Sequence, residues 1–104
     1  RSAYAAAKAG VEGFSRSLAL ELAPRGITVN CVAPGPVFTP RIDQVISNDP
    51  GSLQGMLSRS PQKRLATVEE IAGTVLWLAS SAAGHITAQT VTVDGGWTRN
   101  AHWV

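Results

Sequence analysis

Tyr4 and Lys8 stand four residues apart near the start of this 104-residue chain, in the run Tyr4-Ala5-Ala6-Ala7-Lys8. On a helix that spacing puts both on one face, where the ammonium favours the phenolate over the neutral phenol. A free tyrosine titrates near pH 10, so bringing it to about 7 takes roughly 4 kcal/mol of preferential stabilisation of the anion. A neighbouring cation supplies part of that. The resulting phenol can give and take a proton near neutral pH, as carbonyl reduction or alcohol oxidation requires. The pair alone does not specify this chemistry, because a partly buried tyrosine beside a solvated lysine is a common helix surface.

Other constellations are weaker. Ser15, His85 and Asp94 can be written as a hydrolase triad, but no nucleophile elbow surrounds Ser15, which falls on a long helical pattern. His85 and His102 have no third ligand at metal-binding spacing, and no metal site is expected. Cys31 is the single cysteine, so an internal disulfide framework is impossible and an intracellular, cytoplasmic setting is expected. Nine basic residues against seven acidic ones are scattered without a run, which speaks against a nucleic-acid surface. No window holds the roughly 20 apolar residues of a membrane span.

The elements that must position Tyr4 and Lys8 follow from periodicity and punctuation. Ala3 to Ala23 reads as one long helix carrying Ala5, Ala9, Val11, Phe14, Leu18, Leu20 and Leu22, ended by Pro24 and Gly26. Ile27 to Val32 is a short β-branched run of the kind found in a buried parallel strand, and Ala33-Pro34-Gly35-Pro36 breaks it. In open α/β sheets ligands bind at that end of a strand. Two amphipathic pieces, Ile42 to Ile46 and Leu53 to Leu57, flank a turn at Asn48-Asp49-Pro50-Gly51, and residues 41–61 read as a lid. Thr67-Val68-Glu69-Glu70 is a capping box that should open a helix from about Val68 to Ala79. Thr90 to Val93 is a strand ending at Asp94-Gly95-Gly96. The order suits part of a parallel α/β sheet. Two strands leave edges and apolar faces uncovered, so the chain is expected to lack a complete core of its own.

Taken together these motifs resemble the carboxyl-terminal portion of single-domain members of the short-chain dehydrogenase/reductase family, specifically those related to 3-oxoacyl carrier-protein reductases. The resemblance rests on Tyr4-Ala5-Ala6-Ala7-Lys8-Ala9-Gly10, Ile27-Thr28-Val29-Asn30 and Ala33-Pro34-Gly35-Pro36-Val37-Phe38-Thr39-Pro40. It continues through Glu69-Glu70-Ile71-Ala72, Ile86-Thr87 and Val93-Asp94-Gly95-Gly96. It implies an α/β fold, the C-terminal part of a Rossmann-like doubly wound parallel sheet. It also implies hydride transfer between NAD or NADP and a small carbonyl or alcohol substrate. Tyr4 would be the general acid or base, and Lys8 would assist it and hold the nicotinamide ribose. Pro34 and Gly35 match the turn that brings backbone close to the nicotinamide, with Gly35 lacking the side chain that would obstruct the approach. Val37 matches the position whose backbone meets the carboxamide. Thr39 matches the hydroxyl that contacts the same group, although it is also a competent helix N-cap. Pro36 and Phe38 line the same loop, in contact with substrate or simply packed.

The same resemblance defines what these residues lack. The family's glycine-rich phosphate loop, cofactor-choosing residue, catalytic asparagine and catalytic serine all belong upstream of the tyrosine. Gly10 and Gly13 do not replace the phosphate loop, because they lie inside the first helix. Residues 1–104 are therefore expected to be the C-terminal segment of one such domain, inactive alone, from a protein that forms a dimer or tetramer. A noncatalytic assembly fragment is the alternative, since the family uses the tyrosine helix and the late helix and strand in subunit contacts. Ala88 departs from the glycine that relatives often carry after Ile-Thr, which suggests a slightly altered turn. Trp77 is expected to pack, and a tail with Trp97, Arg99 and Trp103 would cover a neighbouring subunit, the substrate cleft or simply the chain end.

Overall fold

The computed structural model describes residues 1–99, so His102 and Trp103 lie outside the described residues. Helix α1 spans Ser2–Leu22, and a single 3-10 turn, Ala23–Arg25, takes in Pro24 at its start. Gly26 closes it at φ +73°, the left-handed conformation that glycine adopts without a Cβ penalty. Strand β1 is Cys31–Pro34, helices α2 and α3 are Pro40–Asn48 and Gly51–Ser58, α4 is Val68–Leu78, and strand β2 is Thr90–Val93. Short 3-10 turns occupy Ser81–Ala83 and Trp97–Arg99.

Among the described residues β1 and β2 form a two-stranded sheet. The N–H of Cys31 donates to Gln89 O at 2.9 Å and that of Gly35 to Val93 O at 2.9 Å, so the pairing rises in step along both strands and is parallel. The expected strand at Ile27 to Val32 is displaced towards the carboxyl end. Besides one backbone bond, Ala88 N–H to Val29 O at 2.9 Å, the pairing at residues 29 and 30 is made by side chains. Val29 N–H donates to Thr87 Oγ1 at 3.0 Å, Asn30 Nδ2 donates to Ile86 O at 2.9 Å, and Gln89 N–H donates to Asn30 Oδ1 at 3.1 Å. The expectation of burial is also corrected, because Cys31, Val32 and Ala33 are half-buried and Pro34 is exposed.

The chain divides into two compact units. The first, Arg1–Val32 with Val75–Val91, contains all of α1 and the last turn of α4, with Ala19 and Ala83 fully buried. Here Glu12 on α1 accepts from Thr90 Oγ1 at 3.2 Å and from Arg16 at 3.4 Å, tying the helix to the start of β2. The alternating residues Thr28, Asn30 and Val32 face Val75, Leu78 and Ala79 across an open groove. The second unit, Ala33–Thr74 with the residues from Thr92, contains the loop after β1, the helices α2 and α3, and the turn after β2. Its α4 begins on the expected capping box: Glu70 N–H donates to Thr67 Oγ1 at 3.1 Å and Thr67 N–H donates to Glu70 Oε2 at 3.3 Å.

Candidate active site

Tyr4 and Lys8 lie in the first two turns of α1, a segment without proline or β-branched residues before Val11. The i,i+4 spacing has the expected result, with Lys8 Nζ 5.5 Å from the centroid of the Tyr4 ring. Tyr4 is 64% exposed, so its hydroxyl is accessible to a molecule in solution. The pair belongs to the first unit, and the loop Pro34 to Thr39 to the second.

That loop is held on two sides. Gly35 N–H donates to Val93 O at 2.9 Å. Further along, Val37 forms a parallel bridge with Ala66, in which Phe38 N–H donates to Ala66 O at 2.8 Å and Ala66 N–H donates to Pro36 O at 3.0 Å. In a parallel bridge of this kind Val37's own N–H and C=O project to the side opposite Ala66. Neither has a backbone partner among the described residues. They form an adjacent donor and acceptor, which is the complement a primary carboxamide needs. Ala66 is a residue that sequence reasoning missed, and no local signal marks it.

Gly35 also meets a close approach within the protein itself. A Cβ built there would lie 2.8 Å from Asp94 Cβ and 2.9 Å from Asp94 Cα, so the close approach is to another part of the protein. Asp94 is the second residue the sequence reading did not assign, although the glycine pair after it was a visible turn signal. Its Oδ1 accepts Gly96 N–H at 2.9 Å and its Oδ2 accepts Thr98 N–H at 2.8 Å. The Thr98 amide does most to hold this carboxyl below its ordinary range; burial opposes it, and the Thr98 hydroxyl and the Gly96 amide add to the lowering. Both oxygens are thus engaged in the turn.

Thr39 is the N-cap of α2. Its Oγ1 accepts Ile42 N–H at 3.3 Å, with Pro40 at the first helical position. The hydroxyl proton remains available, so capping and donation to a ligand are compatible. Phe38 is 52% exposed. Trp97 sits under Arg59, whose guanidinium carbon is 5.4 Å from the ring centroid, and Trp77 on α4 is 44% exposed. Among the described residues no three His, Cys, Asp or Glu side chains gather as a metal site, and no helix is long and apolar enough to cross a membrane.

A family model described as enoyl-(acyl carrier protein) reductase matches residues 1–98. The 3-oxoacyl-[acyl-carrier-protein] reductase FabG of Escherichia coli (strain K12) is 50% identical over 93 residues, covering 89% of this chain and 37% of the relative. Two solved structures are also similar. A 4-hydroxyisoleucine dehydrogenase complexed with NADH has a TM-score of 0.89 at 28% identity, over 97% of this chain and 41% of that one. YwfH, an NADPH-dependent reductase involved in bacilysin biosynthesis, has a TM-score of 0.81 at 34% identity, over 89% of this chain and 38% of that one. The chain thus spans little more than a third of the length of the curated relative. With an ordered set of motifs, a matching family model and relatives at this identity, the chain belongs to the short-chain dehydrogenase/reductase family of oxidoreductases.

Proposed function

We propose that this chain is the C-terminal segment of an NAD(P)-dependent oxidoreductase that interconverts a ketone and a secondary alcohol. The observation that carries the reading is Lys8 Nζ lying 5.5 Å from the centroid of an exposed Tyr4 ring on one helix face. A nicotinamide, when bound, supplies or receives the hydride. In reduction, Tyr4 Oη gives its proton to the carbonyl oxygen as that oxygen gains negative charge; in oxidation it takes the proton back. Lys8 puts positive charge beside that phenol and has N–H donors for ribose hydroxyls. The free N–H and C=O of Val37 and the Thr39 hydroxyl hold the carboxamide, with Pro34 and Gly35 setting the course of the loop. NAD and NADP relatives both support the cofactor class.

The remaining parts of the reading follow from the same comparison. Residues 41–61 form the substrate lid, since Ile42, Val45, Ile46, Leu53, Met56 and Leu57 alternate there with Arg41, Asp43 and Arg59. The remainder of the relatives' length supplies the phosphate loop and the catalytic serine. The complete protein is a cytoplasmic dimer or tetramer that uses α1 and α4, a view favoured by the exposure of Phe14 at 69% and Leu76 at 71%. In the complete protein Tyr4→Phe lowers kcat/KM by on the order of a hundredfold to ten-thousandfold, while NAD(P)H affinity by fluorescence titration stays near wild type. Turnover retained in that variant would sink the assignment.

A further inference from the structure

One turn in the second unit touches both the loop assigned to the nicotinamide and the end of the segment assigned as a lid. On one side, Asp94 is the surface against which Gly35 lies: there is no room for even a methyl group between them, and Val93 O receives the Gly35 N–H. On the other side, the next two residues are glycines at φ +61° and φ +90°. A Cβ at Gly95 would meet Gln62 Oε1 at 3.2 Å and Gln62 Cβ at 3.3 Å; one at Gly96 would meet Pro61 Cγ at 3.1 Å. The residue after them, Trp97, lies beneath Arg59. Three successive residues thus press on the stretch 59–62, and the one before them presses on Gly35.

The side-chain hydrogen bonds that hold that turn come from Asp94. The two oxygens of Asp94 receive separate amides, Gly96 and Thr98, and its main-chain carbonyl receives the amide of Trp97 at 3.1 Å. Two charge-assisted hydrogen bonds from opposite ends of one carboxylate fix its torsions, and so fix the Cβ that Gly35 rests on. Both glycines are in left-handed backbone regions, which an unbraced Gly-Gly pair leaves readily because its conformational entropy is high. Without the carboxylate the turn loses the side-chain hydrogen bonds to its Gly96 and Thr98 amides and keeps the contact of Trp97 with Arg59.

We propose that Asp94 is a positioning residue, whose carboxylate-braced turn sets the place of Gly35 and carries the 59–62 stretch, so that the cofactor loop and the lid end are held as one body. Asp94 touches neither substrate nor cofactor in this scheme; it acts through Gly35 and through Gln62 and Pro61. The scheme rests on the proposed function for its kinetic consequence, but not for its structural one. It differs from simple local capping in reaching two segments more than thirty residues away in sequence.

The test uses the complete protein with Asp94→Ala, which removes both acceptors, and Asp94→Asn, which keeps one acceptor oxygen and guards against a misfolded alanine variant. Amide hydrogen exchange at Gly35 and Phe38 should accelerate about tenfold in the alanine variant and less in the asparagine variant, alongside Gly96 and Thr98. The KM for NAD(P)H should rise by a similar factor, with kcat at saturating cofactor falling less than about threefold because Tyr4 and Lys8 are untouched. Faster exchange at Gly96 and Thr98 with wild-type protection at Gly35 and Phe38 would overturn the proposal, leaving a purely local cap. A wild-type protein that binds neither NADH nor NADPH would instead remove the functional reading, and the exchange comparison would still decide the role of Asp94.

Discussion

Ala88 is the residue at which local backbone preference and the fold disagree most plainly. It sits at φ +60°, and its N–H is committed to Val29 O at 2.9 Å while its neighbours Thr87 and Gln89 bond to Val29 and Asn30. Those bonds hold an alanine where the left-handed region costs about 1–2 kcal/mol for a residue with a Cβ. Ala88→Gly releases that strain and gives back part of it through the greater freedom of the unfolded chain. The expected gain is about 0.5–1 kcal/mol, a Tm rise of roughly 1–3 °C for a protein of the relatives' length, read by thermal unfolding of the complete protein. A fall in Tm would mean that the turn is not strained at this position. The sequence raised a departure at Ala88 and suggested an altered turn; the finding is an alanine that keeps a glycine conformation.

At the scale of elements, α4 depends on a charged start. Glu70 closes the capping box and also pairs with Arg64 through two contacts, Nη1 to Oε2 at 3.0 Å and Nη2 to Oε1 at 2.9 Å. The Arg64 hydrogen bond, followed by that from the Thr67 amide, holds the Glu70 carboxyl below its ordinary value. A lowered carboxylate pKa stabilises the fold fully above the unfolded value, and the benefit is lost as pH falls through the folded value. The stability difference between wild type and Glu70→Gln, measured by urea midpoints, should therefore be present at neutral pH and shrink in acid below about pH 4. A difference that does not change with pH would assign the effect to packing. This box was legible in four consecutive residues because capping is local, as were β2 and the end of the first helix at Pro24 and Gly26, whereas the two amphipathic pieces of the 41–61 segment prove to be the helices α2 and α3. The start of β1 was not, because Thr87 and Asn30 decide it from opposite ends of the chain. Likewise the need for glycine at Gly35 was legible, but its partner Asp94 is 59 positions away and only the fold brings it there.

For the molecule as a whole, the telling quantity is how little is buried. Among the described residues Ala19 and Ala83 are the only buried hydrophobic ones, no large side chain is below 2% exposure, and Phe14, Leu20 and Leu76 are 69–71% exposed. A large apolar side chain gains roughly 1.5–3 kcal/mol from full burial, and here those gains are mostly unrealised. The 104-residue chain expressed alone should therefore bind 8-anilinonaphthalene sulfonate and unfold over a broad range. The complete protein should unfold cooperatively, exclude the dye and sediment as a dimer or tetramer. A dye-silent chain with a sharp transition would show that these residues are self-sufficient. The Val37–Ala66 bridge has a consequence of its own for how such a fold diversifies. By clasping the backbone on either side of Pro40 to Leu65, it turns that stretch into an excursion whose two ends are fixed independently of what lies between them. Closing a loop costs only about 0.6 kcal/mol more for each doubling of its length. Mutation can therefore lengthen, shorten or rewrite α2 and α3 to suit a new molecule while the clasp and the atoms beside it keep their positions.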